Sequence, residues 1–100
     1  MIRRTKSKRE SAIESWACKW ARAHGVVAAK LKECTGIPDR IFFTPRASGG
    51  PLIIEFKRPG ERPEGVQPWY LEQLTKAGYE AGWCDDKEGF KEIMRKHGVI

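Results

Sequence analysis

The chain is expected to fold as one mixed α/β domain, with element order α-β-β-β-α-β-α around a four-stranded sheet flanked by helices. Three observations predict it. Apolar residues recur at helical spacing in three separate stretches. Between the first two of these lie three short runs rich in β-branched or aromatic residues, broken by Pro and Gly. And 100 residues, 40% hydrophobic with four Trp, suffice for one modest core but not two.

The first helix is expected near Ser7 or Ser11, because each opens an S-x-x-E box closed by Glu10 or Glu14. Ile13, Trp16, Ala17, Trp20, Ala21 and His24 continue its stripe, and Gly25 ends it. Residues 26–31 read as a strand, 35–38 as a turn, 39–44 as a second strand and 52–57 as a third. The loop at 45–51 holds two Pro and two Gly, so the three strands form an antiparallel meander. Pro68 suits the first turn of a second helix carrying Leu71, Leu74 and Ala77, with Gly78 at its end. A fourth strand at 79–84 leads to a D-x-x-E cap, Asp85 to Glu88, and a last helix with Phe90, Ile93, Met94 and His97 on one side.

The formal charge is +6. Arg3, Arg4, Lys6, Lys8 and Arg9 occupy residues 1–9 without an acid; without them 14 basic residues face 13 acidic ones. The excess is therefore a tail, residues 1–9, before a single domain at 10–100. It reads either as an arm on nucleic-acid phosphates or as a solvated, solubilising segment. No apolar run is long enough to cross a bilayer, and no apolar stretch follows the tail as in a secretory signal. The expected location is the cytoplasm. Cys18, Cys34 and Cys84 form no C-x-x-C pair, and His24 and His97 complete no zinc pattern, so buried reduced thiols are expected. Trp16, Trp20, Trp69 and Trp83 suit the core, with base stacking as the other use.

The chemistry is concentrated in the third strand. Side chains alternate, so Leu52, Ile54 and Phe56 share one face while Ile53, Glu55 and Lys57 share the other. Two opposite charges thus close an apolar strand on one side, either as a surface ion pair or as a site. Asp39 opens the neighbouring strand after Pro38, a dipeptide also common in plain turns. Carboxylates at the start of one strand and the end of its antiparallel neighbour converge, and two hard oxygen donors suit Mg²⁺ or Mn²⁺. Lys57 beside them would hold a water or steady developing negative charge.

Pro38-Asp39 with Glu55-Phe56-Lys57 resembles the PD-(D/E)XK nuclease superfamily. The longer series Gly36-Ile37-Pro38-Asp39-Arg40, Glu55-Phe56-Lys57-Arg58-Pro59-Gly60, then Gln67, Leu71, Leu74 and Gly78, is similar to its VRR-NUC branch, the virus-type replication-repair nucleases. The resemblance covers roughly residues 10–85 and implies a restriction-endonuclease-like core. It implies Asp39, Glu55 and the Phe56 carbonyl as metal ligands, Lys57 as the residue acting on water, and Gln67 as its support from the next helix. Pro68 directly after Gln67 departs from the pattern and leaves the helix start open. Glu14 would match a first-helix glutamate that supports the metal. Helical geometry places it at the margin of the apolar stripe, where a cap on Ser11 competes for it. Arg40, Arg46, Arg58 and Arg62, on or near the expected site, are the phosphate candidates beside the tail.

The implied activity is a divalent-metal-dependent DNA endonuclease, selective for branched DNA such as a Holliday junction, working as a homodimer and of phage type. The first helix and the loop around Ser48 are the candidate dimer surfaces. The alternatives are a non-catalytic DNA-binding module, or a nuclease of the same fold acting on linear DNA or RNA.

Overall fold

The alternation of residues 52–56 determines how the molecule is layered. In the computed structural model, which describes residues 8–100, strand β3 (Leu52–Phe56) lies inside a four-stranded sheet of order β1-β2-β3-β4. β1 (Ala28–Lys30) and β2 (Arg40–Phe42) precede it, and β4 (Glu80–Cys84) follows. β1, β2 and β3 form the antiparallel meander, while β4 runs parallel to β3. A parallel neighbour requires a crossover, and helix α2 (Gln67–Lys76) supplies it. Helix α1 (Lys8–Ala23) and helix α3 (Lys87–Lys96) complete the order.

Leu52, Ile54 and Phe56, with Phe42 and Cys84 opposite them in register, face Ile13, Ala17, Cys18 and Ala21 of α1 and Phe90 and Met94 of α3. Phe90 is the keystone. It is fully buried, with ring centroids 5.3 Å from Phe42, 5.8 Å from Trp20, and 5.9 Å from both Trp16 and Phe56. One side chain of α3 thus joins α1 to the sheet. Phe90→Ala is expected to cost about 3–5 kcal/mol, a large part of a small domain's stability, read as a fall in the urea midpoint. A loss below about 1 kcal/mol would show that the site collapses without penalty.

Local chemistry sets the ends of the elements. Gly78 has φ +96° just past α2, as expected of a helix stop. Pro68 sits in the first turn of α2, where its missing N–H costs nothing. Asp86, not Asp85, caps α3: its side chain accepts from the Gly89 N–H at 2.6 Å. Asp85 instead accepts from the Gly60 N–H at 3.0 Å, tying the loop after β3 to the end of β4. Ser11 does not open α1 either. It lies inside a helix that already runs from Lys8, and Glu14 turns to another partner; Ser7 lies outside the described residues. The helix also takes in Lys8 and Arg9, the last residues of the basic tail.

The strands are shorter than the apolar runs, because pairing stops where turns begin. Residues 46–48 form a 3-10 turn within the β2–β3 loop, which sequence reading treats as irregular. Trp16 and Trp20 pack on the core and Trp83 is half-buried, whereas Trp69 is 57% exposed. α2 buries no residue fully, so its aromatic side remains at the surface. Cys18 and Cys84 are buried, but Cys34 is exposed in the β1–β2 loop, contrary to the expectation for all three. Among the described residues, no helix is long and apolar enough to cross a membrane.

Candidate active site

Strand register brings the two carboxylates together. Arg40 pairs with Ile54, so the next positions outward, Asp39 and Glu55, lie opposite each other on the face away from the α1–α3 core. Asp39 is fixed there, its carboxylate accepting from the Phe56 N–H at 2.7 Å. In a strand the N–H and C=O of one residue point to the same neighbour, so the Phe56 carbonyl is directed to the Asp39 side as well. Glu55 is 4% exposed and Lys57 1% exposed. The strand buries these charges only because partners are supplied.

Gln67, the first residue of α2, is that partner. Its Nε2 donates to Glu55 Oε2 at 3.0 Å, and its Oε1 accepts from Lys57 Nζ at 3.3 Å. The same Oε1 accepts from the Glu64 N–H at 2.8 Å, while the Gln67 N–H donates to the Glu64 carbonyl at 3.1 Å, closing the turn that leads into the helix. Two donors on the oxygen and a carboxylate on the nitrogen leave one sensible amide orientation. Gln67 therefore bridges the two charged residues of β3 and holds them from across a loop.

The β1–β2 loop packs against the same helix start. Gly36 has φ +89°, and a Cβ there would run into Val66 Cγ2. Glycine at this position lets the loop approach α2 and carry Pro38 and Asp39 into place. Exposed Cys34 reaches Tyr70 from this loop, and their hydrogen bond, the main cause, raises the Tyr70 hydroxyl above its usual range.

Glu14, also buried, comes from α1. It accepts from Arg40 Nε at 2.6 Å, across the chain position next to Asp39. Glu14, Arg40, Asp39, Glu55 and Gln67 all line one open cleft of about 1210 Å³. Glu10, buried one turn before Glu14, lines it too and was missed; its i, i−4 relation to Glu14 was the available signal.

The arginines separate. Arg40 is engaged with Glu14. Arg58 follows Lys57 and pairs with Glu61, and Arg62 is exposed in the same loop. Arg46 is not at the site. It lies in the 3-10 turn joining β2 to β3, at the end of that hairpin opposite Asp39 and Glu55. Sequence proximity to Asp39 misplaced it, because β2 carries the chain away from the cleft. Arg3, Arg4 and Lys6 lie outside the described residues, and the side chains of Lys8 and Arg9 likewise.

The donor set fits a hard divalent cation. Among the described residues, no group of three His, Cys, Asp or Glu side chains is arranged as a metal cage. Mg²⁺ does not need one: it is usually held by one or two carboxylates, with waters and substrate phosphates completing the octahedron. Asp39, Glu55 and the Phe56 carbonyl supply such an open set. The buried thiols are no rival centre. Burial, reinforced by Asp85, Asp86 and Asp39, pushes Cys84 up to about 12. Burial also raises Cys18, so both are thiols rather than nucleophilic thiolates at neutral pH.

A meander followed by a crossover helix and a parallel fourth strand, with two carboxylates and a lysine where β2 and β3 meet, defines a recognisable architecture. No family model matches the sequence, and no curated protein matches it. Solved structures do match in fold, among them the following two. One, described as a "VRR_NUC domain", has a TM-score of 0.77 and 20% identity, covering 89% of this chain and 97% of that one. Another, a "VRR_NUC domain protein", has a TM-score of 0.75 and 18% identity, covering 94% of this chain and 91% of that one. The chain has the fold of the VRR_NUC domain.

Proposed function

We propose that this chain is a VRR-NUC-type nuclease, a divalent-metal-dependent DNA endonuclease whose site is Asp39, Glu55 and Lys57. The observation that carries this reading is the linkage of the three. Asp39 is fastened to the Phe56 amide beside Glu55, and Glu55 and Lys57 share Gln67. A plain strand-end ion pair would need neither a buried lysine nor a glutamine from another element.

In the proposed reaction a water attacks phosphorus in line. The bond to the 3′ oxygen breaks, and a 5′-phosphate and a 3′-hydroxyl result. Asp39, Glu55 and the Phe56 carbonyl would hold Mg²⁺ or Mn²⁺, which supplies charge neutralisation at the non-bridging oxygens and a more acidic water. Lys57, its Nζ positioned by Gln67, orients the attacking water or steadies the negative charge that develops on phosphate. Gln67 acts through Lys57 and Glu55, and Glu14 supports the site through Arg40. No base-reading motif is present in the sequence, so recognition is of backbone and shape.

The finer reading is a branched-DNA resolvase working as a two-fold homodimer, since one chain offers one site and a junction needs two related cuts. Trp16 and Trp20 are poor interface residues, being packed around Phe90. Exposed Trp69, and Val27 beside Phe43 at the edge of the sheet, are better ones. One gel tests the reading: labelled junction, flap, linear duplex and single strand, each with Mg²⁺, Mn²⁺, Ca²⁺ or EDTA. Cleavage in Mg²⁺ or Mn²⁺ but not EDTA, strongest on the junction, is expected, with a sedimentation mass near twice 11.4 kDa. Equal cutting of linear and branched DNA by a monomer would remove the resolvase reading. No cleavage of any substrate would remove the nuclease.

A further inference from the structure

A phosphodiester approaching Asp39 and Glu55 enters a cleft that Glu10, Glu14, Glu33 and Glu64 also line, so something else in the cleft has to attract it. The α1–β1 wall carries what is needed. Lys19 and Arg22 of α1, Lys30 at the end of β1 and Lys32 just beyond it line the same cleft as Asp39 and Glu55. All four are exposed. Lys19 and Arg22 stand three residues apart, hence on one helix face.

Two further observations distinguish these four from scattered surface charge. Elsewhere, Lys76, Lys91 and Arg95 each pair with a glutamate three or four positions earlier on their own helix. None of the four wall cations has an ion pair among those of the described residues, which engage Arg40, Arg58, Lys76, Lys91, Arg95 and His97. Burial raises the Cys18 thiol, and Arg40 first, then Arg22 from α1 and Lys30 from β1, oppose it. Cations from two elements thus converge on one patch, although the chain is almost neutral outside its tail.

We propose that Lys19, Arg22, Lys30 and Lys32 form a track for the sugar-phosphate backbone, leading a nucleic-acid strand past α1 and β1 to the carboxylate pair. The proposal rests on the nuclease reading and deepens it. The ligand is the phosphate chain itself, without regard to base. Four exposed, mutually repelling cations are relieved by a polyanion, and their counterions are released when it binds. The wall offsets the repulsion that the acidic residues lining the cleft exert on substrate.

The test is binding of the full chain to a labelled short single strand and a labelled short duplex. Fluorescence anisotropy is read in EDTA between about 50 and 200 mM salt. The variant K19Q/R22Q/K30Q/K32Q is compared with K76Q/K91Q/R95Q/K96Q, which loses the same charge from α2 and α3. The wall variant should flatten the log–log salt slope by about three to four units on duplex, and somewhat less on single strand. The control should change it by less than about one unit. An unchanged slope in the wall variant, an equal loss in the control, or no salt-dependent binding by the parent chain would overturn the proposal. Because binding is read without metal, failure of the cleavage assay is a separate result and leaves this one standing.

Discussion

Asp39→Asn and Glu55→Gln are each expected to reduce cleavage in Mg²⁺ to background while leaving DNA binding and thermal stability close to those of the parent chain. The substitutions are chosen for shape. An asparagine oxygen still accepts from the Phe56 N–H, as Asp39 does at 2.7 Å. A glutamine oxygen still accepts from Gln67 Nε2, as Glu55 does at 3.0 Å. The hydrogen-bonded frame survives and only negative charge is removed, so a lost rate reports on the charge. Hard cations hold anionic oxygen far better than neutral amide oxygen, so metal titration should weaken along with the rate. Either variant cutting at the parent rate in Mg²⁺ would sink the assignment of that carboxylate.

Lys57→Met is the second large effect. Lys57 is 1% exposed, so truncation to alanine would confuse chemistry with a cavity. Methionine retains most of the volume and none of the charge. Gln67 Oε1 would keep its bond from the Glu64 N–H at 2.8 Å, so the bridge to Glu55 need not collapse. Single-turnover cleavage at saturating metal is expected to fall by on the order of a hundredfold or more, the scale seen when a positioned electrostatic group is removed. Metal affinity should hardly change, since an ammonium is no ligand. If metal binding collapsed while the saturated rate held, Lys57 would be a structural cation that keeps Glu55 in place.

Both expectations depend on side chains whose positions were legible to different degrees. Strand alternation put Glu55 and Lys57 on one face from sequence alone, because a period of two is a local property of the backbone. The placement of Gln67 at a helix start was also local, marked by Pro68 in the first turn. The element order, the meander and the glycine stop after α2 were legible for the same reason. Asp86 taking the cap from Asp85 shows where local reading fails: both residues can cap a helix, only Asp85 has the glutamate three positions on, and yet Asp85 is engaged by the Gly60 N–H while Asp86 accepts from Gly89.

What tertiary structure decided was which of the non-local partners met. Periodicity located Glu14 at the edge of the apolar stripe. Its bond to Arg40 spans 26 positions and exists only because α1 docks beside the start of β2. Arg46 left the site because the hairpin runs away from it. The wall of Lys19, Arg22, Lys30 and Lys32 arose from α1 and β1 lying side by side along one cleft. The sequence by itself determined the strand faces, the element order and the glycine and proline stops, since those follow from φ/ψ preferences and side-chain period over a few residues. Pairings across tens of residues depend on docking and register, which are chosen by the whole core, with Phe90 at its centre, and by no local run of residues.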